Sequence, residues 1–311
     1  MATILLSAAA LLLLGCENQQ ASKPMPQDKP IDSNQGTIAQ RVDRAFQAAR
    51  AGNMGPVAEL HELGEPVVGS LGKYVEDPDP NIRRETVALL RAVGGKAALG
   101  LLARALGDPL VEIQERAAMA LYERYDPRTL AASAETGASL RKSVTAGNTR
   151  AAAVLLLAYF PGPETQQLLG KLRGRPAEEV TKLHEWSPAV PVSLPAAVAL
   201  SRLGENDARA ALLATIEDAG VNVLEFLFEA IREIDSPEVL QALKPALDNQ
   251  AEVSSGVPSG AAPRRRICDV AVNAFVRRLS LKVDFELLES RRYSEAQIQQ
   301  VRQQIGGSIP S

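Results

Sequence analysis

Aromatic side chains are scarce in this chain: Phe, Trp and Tyr make up 4% of its 311 residues, with a single tryptophan, although 46% are hydrophobic. The apolar content is carried by Ala, Leu and Val, a mixture suited to helices that approach closely through small side chains. Histidine and cysteine number two each. His61-Glu62 opens like a zinc-protease motif, but position 65 is Glu and the second histidine ligand is missing. His184 lies far off in sequence, so no metal site is expected. Gly94-Gly95-Lys96 lacks the earlier glycine of a phosphate loop, and Gly69-Ser70-Leu71-Gly72 lacks the spacing of a nucleophile elbow. Neither an enzyme nor a cofactor site is expected. A formal charge of -3 gives no case for a nucleic-acid binder.

Long hydrophobic runs are also missing. Ala2 to Gly15 is apolar and uncharged but only fourteen residues long, against the ~20 that a helical membrane span needs. It has the length of a signal peptide's apolar region. No Lys or Arg precedes it, so its positive end is the α-amino group alone or lies upstream. The run ends Leu13-Leu14-Gly15-Cys16, which resembles the bacterial lipobox. That resemblance implies a signal peptide over 1–15, cleavage after Gly15, and lipid attachment at Cys16. Two or more acyl chains anchor stably, where one is marginal. By resemblance to the sorting rule of enteric bacteria, in which Asp at the second mature position retains a lipoprotein in the inner membrane, Glu17 there implies the outer membrane, facing the periplasm. Residues 16–36, rich in Pro, Gln, Asp and Ser, then read as the lipidated cysteine and a flexible tether.

The body, 37–311, repeats. Ile82, Thr86, Val87 and Leu90 occupy one face of a helix. The same pattern returns from Ile113, Thr149, Val192, Val223 and Ile267, at spacings of 31, 36, 43, 31 and 44 residues. Asp-Pro marks helix starts, as at Asp79-Pro80, and Gly94-Gly95 and Gly204 mark stops. An apolar residue eleven positions after the first member recurs in several units, but Arg124 and Arg278 break it. Residues 37–76 lack the pattern and read as a cap. At the other end, Ser294 with Gln297 predicts the start of a closing helix.

The segment from Asp79 to Pro109, with Ile82-Arg83, and the following DPLVEIQERAAMALYER resemble HEAT repeats of the short type first associated with phycobilisome-lyase-like proteins. The resemblance implies an all-α fold, a right-handed α-solenoid of six to seven helical hairpins. It also implies a binding surface without catalytic residues.

Insertions are predicted near 129–148, 174–191 and 249–266. The second holds Trp186 beside His184, and Trp186 either pins the insertion to the solenoid or anchors a partner. In HEAT arrays second helices line the concave face. Lys96, Arg104, Arg141, Lys142, Lys171, Arg173, Arg209 and Lys244, with the Arg264, Arg265 and Arg266 run, could therefore form one basic lane. Cys268 has no partner if Cys16 is acylated; it reads as a small semi-buried residue or as a thiol activated by the nearby arginines. The expected function is a lipid-anchored scaffold for a protein partner. The alternative is a binder of an anionic polymer or head group through the basic lane.

Overall fold

The computed structural model describes residues 36–253 and 264–309. The expected signal peptide with Gly15, Cys16, nearly all of the tether, and the middle of the 249–266 insertion lie outside the described residues.

Helix α1 (Ile38–Arg50) opens on a capping box, Thr37 and Gln40 each accepting from the other's backbone N–H. Short helices α2 (Gly55–Glu59) and α3 (Val68–Leu71) follow, and Phe46 stacks on Tyr74 with ring centroids 4.0 Å apart. The repeats then begin. Helix α4 (Pro80–Val93) starts at Asp79, whose carboxylate accepts from Asn81 N–H, with Pro80 in the first turn where no N–H is needed. It stops at Gly94, whose φ of 69° is open to glycine and strained for other residues. Helix α5 (Gly95–Ala105) completes the first hairpin.

Five more hairpins follow among the described residues. The second pairs α6 (Val111–Arg124) with α8 (Ala134–Thr145), separated by the short α7 (Pro127–Ala131). The third joins α9 (Ala151–Leu156) to α10 (Pro163–Arg173), and the fourth α11 (Ser193–Arg202) to α12 (Asn206–Glu217). The fifth joins α13 (Val221–Glu229) to α14 (Pro237–Leu243), and the sixth α15 (Ile267–Leu279) to α16 (Glu295–Ser308). Helix α16 begins at Ser294 with the Gln297 capping box that the spacing predicts. The fold is an all-α solenoid.

The stretch 129–148 is less of an insertion than its spacing suggests. Most of it is α8, the second helix of its hairpin, started by Ser133, whose hydroxyl accepts from Thr136 N–H. The added piece is α7, which Asp126-Pro127 initiates. The 174–191 insertion instead closes on a two-residue antiparallel ladder, β1 (Val180–Thr181) with β2 (Val190–Pro191). The stem of the third insertion is tied by Val253 N–H to the Arg265 carbonyl, 2.9 Å.

A buried polar ladder threads the first two hairpins and reaches the turn before the third. Arg83 donates to the Asp77 carbonyl at 2.8 Å and to both oxygens of Asp108 at 2.6 and 3.1 Å. Gln114 takes the equivalent place in the next hairpin. It donates to the Asp108 carbonyl at 2.6 Å and accepts from Ser143 at 2.8 Å, and Asn148 donates to Ser143 at 2.9 Å. Each buried donor thus has a partner, as burial requires. The Ile82-Arg83 pair puts one residue in the apolar core and the next in this ladder.

First and second helices are not equivalent. All six residues of α9 are buried, with seven of ten in α11 and ten of thirteen in α15, whereas α10, α12, α14 and α16 bury three each. The first helices form the inner layer, α4 against α6, α6 against α9, α9 against α11, and α13 against α15. Small residues such as Ala117, Ala118, Ala153, Ala196 and Ala271, all fully buried or nearly so, let them approach closely. Arg232, just after α13, donates to the carbonyl of Tyr122 in α6, three hairpins earlier. The first helices are thus the more buried layer, and the lane candidates on the second helices lie in the less buried one.

Candidate functional site

The site is built where the 174–191 insertion lies across the first helices. Ala151 N–H donates to the Lys182 carbonyl at 3.3 Å, which ties the insertion to the start of α9. Leu183 is buried, and the turn that follows is closed by Ser187 N–H on the His184 carbonyl. Ser187 Oγ donates to Glu229 at 2.6 Å, clamping the turn to α13. Trp186, between these anchors, is 70% exposed. The pinning is done by Leu183, Val190 and Ser187, and the indole is left facing out.

Beside Trp186 lies a pocket of about 800 Å³. Leu183, Phe228, Ile231, Val270 and Ala274 give it apolar walls. Its charged lining is Arg232, Arg265, Arg277 and Arg278 against Glu229 and Glu289. Each arginine is held. Arg232 lies over the Tyr122 ring, 3.6 Å from its centroid, and bonds Glu233 at 2.7 Å. Arg278 reaches back to the Ile234 carbonyl at 3.0 Å and Asp235 at 2.9 Å. This satisfies a carbonyl at the end of the preceding hairpin's first element, as Arg124 does for Ala92 at 3.3 Å. The two arginines that interrupt the apolar periodicity thus share one structural task.

Burial governs the titratable groups here. It pushes Glu229 up to about 7, against the opposing pull of the Ser187 hydrogen bond. Burial also lowers the pKa of His184, whose Nε2 is 3.6 Å from Glu229. The Tyr122 phenol is driven well above its ordinary range by desolvation, with Glu233 adding to it. Behind the wall, fully buried Glu233 accepts from Tyr159 and Arg232, which cross-links α13's exit to the end of the third hairpin's first element.

A second pocket of about 470 Å³ shares His184 and Trp186 with the first. It is lined by paired charges: Arg91 with Glu123 at 2.6 Å and Arg116 with Glu112 at 3.1 Å, while Arg150 stands 3.9 Å from Glu115. Trp186 therefore stands between an arginine-rich, apolar-walled pocket and one whose lining carries three arginines against four glutamates.

Of the sequence candidates, the first pocket brings together Trp186 and Arg265. The others lie elsewhere. Lys96 and Arg104 are on α5, and Arg104 is tied to Glu76 at 2.5 Å. Arg141 and Lys142 are on α8, with Arg141 3.2 Å from Glu164. Lys171 and Arg173 close α10, Arg209 bonds Asn206 at 2.6 Å, and Lys244 follows α14. Arg264 is exposed, and Arg266 bonds Asp269 at 2.7 Å across the first turn of α15. Sequence reasoning missed Arg232, Arg277, Arg278, Glu229 and Glu289. The break at position 278 was the available signal.

Among the described residues no helix is long and apolar enough to cross a membrane, and no group of His, Cys, Asp or Glu is placed to hold a metal ion. No curated protein matches the chain. The family model for HEAT repeats matches residues 69–135, which contain the first hairpin, α6 and α7. That part of the chain is similar to HEAT repeats, and the remaining hairpins continue the same all-α solenoid.

Proposed function

We propose that the protein is a non-catalytic scaffold that binds a protein partner on its first-helix side, around Trp186. It is held at the bacterial cell envelope, on the outer membrane facing the periplasm, by lipid on Cys16. The carrying observation is the 70% exposure of Trp186 between two pockets, on a turn whose neighbours are anchored. A large aromatic presented on a fixed support loses little freedom on binding, and such residues dominate interface energetics. HEAT repeats commonly serve as interaction scaffolds, which agrees with this reading.

The test is photo-crosslinking in the native membrane from a probe placed next to Trp186, at Glu185, in wild type and Trp186→Ala. A discrete adduct that Trp186→Ala abolishes, with thermal stability changed by less than ~0.5 kcal/mol, supports the reading. An adduct insensitive to Trp186→Ala overturns it. The anchor is tested separately: Cys16→Ala should release the protein from membranes and remove acyl mass from its N-terminal peptide. Retention without acyl mass would remove the anchor.

A further inference from the structure

We propose that Arg265 and Arg277 form a docking site for a carboxylate of an acidic protein segment, whose neighbouring apolar side chain enters the pocket beside Trp186. The inference rests on the scaffold reading and names the partner's chemistry.

The structure already holds a carboxylate in that place. Glu289 bridges the two guanidiniums, one oxygen bonded to Arg277 and the other 3.5 Å from Arg265 Nη1. Its side chain is nonetheless 63% exposed, and it sits in the non-helical stretch between α15 and α16. Arg265 is the fixed half: 14% exposed, 4.0 Å from the fully buried Glu225, with its backbone carbonyl tied to Val253. Arg277 is the open half, 55% exposed. An exposed carboxylate between two guanidiniums gains little from the pairing in water. An incoming carboxylate can therefore replace it at small cost, and that carboxylate is desolvated by the partner.

The pocket supplies the rest of the specificity. Four arginines line it against Glu229 and Glu289. Glu229 is partly neutralised near neutral pH, being pushed up to about 7 by burial. Glu233, Asp235 and Glu225 pair Arg232, Arg278 and Arg265 from outside the lining, so the positive charge most open to a ligand is that of Arg277, and the walls next to it are apolar through Phe228, Ile231 and Val270. A segment alternating acidic and apolar residues matches both features. A phosphate polymer brings the charge without the apolar group.

The probe is a fluorescein-labelled peptide of three Glu-Leu-Gly repeats, with three Gln-Leu-Gly repeats as control, titrated by anisotropy against the full chain. The control should bind at least ~10-fold more weakly. Arg277→Gln should weaken the acidic peptide about tenfold, and Glu289→Gln should strengthen it about threefold or more by removing the internal competitor. Opposite effects of two surface substitutions cannot come from misfolding. Equal binding of both peptides, or an affinity that Glu289→Gln leaves unchanged or lowers, would overturn the proposal. So would Arg277-dependent binding to phosphatidylglycerol vesicles with no peptide binding. If the charge variants leave the Trp186-dependent crosslink and the peptide affinity unchanged, this inference fails and the scaffold reading stands. If the peptide behaves as expected but no Trp186-dependent crosslink forms, the scaffold reading is the one that fails.

Discussion

Arg83 Nε lies 2.6 Å from Asp108 Oδ2, with the two side chains 10% and 2% exposed, and the pair joins the first hairpin to the second. Removing one member leaves a buried charge without its counter-charge. Asp108→Ala should therefore cost roughly 3 kcal/mol, the lower end for a broken buried pair. Replacing both, as Arg83→Met with Asp108→Leu, should recover part of that loss. Urea denaturation midpoints of the three variants check this, and equal loss in single and double variants would show that the pair itself is not what holds the hairpins.

Glu229 predicts a pH dependence. Its folded pKa is about 7 against 4.5 for the free side chain. Between those values the folded state binds more protons than the unfolded, so stability falls as pH rises from about 4.5 to about 7. The effect is at most about 3 kcal/mol. His184, whose pKa burial depresses, contributes the opposite slope below 6.5. Glu225, Glu289 and Arg265 also face the carboxyl. The difference between wild type and Glu229→Gln, measured at pH 5 and pH 7.5, isolates the carboxyl's share. Glu229→Gln should be relatively more stable at the higher pH.

Gly137 is required by a close approach. A Cβ there would lie 2.5 Å from Phe160 Cδ1, where α8 meets the end of the third hairpin's first element. Phe160 is 7% exposed and cannot swing out freely. Gly137→Ala should cost about 1–3 kcal/mol despite alanine's better helix propensity. Adding Phe160→Leu should return part of it, which a thermal melt would show.

The thiol of Cys268 should be inert in the native protein. The residue is fully buried, and desolvation raises its pKa, with Asp269 adding to the effect. In a Cys16→Ala chain at pH 8, modification by Ellman's reagent should run at least ~100-fold slower than in guanidinium. A native rate close to the unfolded rate would show a reactive cysteine.

The hairpins were legible because their local signals are strong and agree. Asp79-Pro80, Gly94-Gly95 and Ser294 each mark an end by a mechanism confined to a few neighbouring residues. Which layer lies inside was not read, although a clue was present. Ala151 to Leu156 is apolar all round, and a helix of that kind must be covered on every side. The basic lane drew on second-helix residues because charge is easy to count along a helix. Arg104 and Arg141 show that the neighbouring turn can supply the counter-charge. Trp186 was legible as a candidate, but its exposure was not, since that depends on Leu183 and Ser187 holding the turn from below. The partners of Arg265 and Arg277 come from a separate segment with no periodicity, so nothing local pointed to Glu289.

The bond from Arg232 to the Tyr122 carbonyl changes what kind of polymer this is. Repeat arrays ordinarily unfold from their ends, each unit detaching from one neighbour, and tolerate the gain or loss of a unit. Here a link closes a loop over 110 residues between the second and fifth hairpins. The link adds about 1.5–3 kcal/mol, the worth of one charge-assisted hydrogen bond, to the coupling between those hairpins. An intervening hairpin cannot be duplicated or deleted without carrying Arg232 away from Tyr122. A change in the number of hairpins between those two residues would therefore forfeit this contact, which an array joined only through nearest neighbours would not feel.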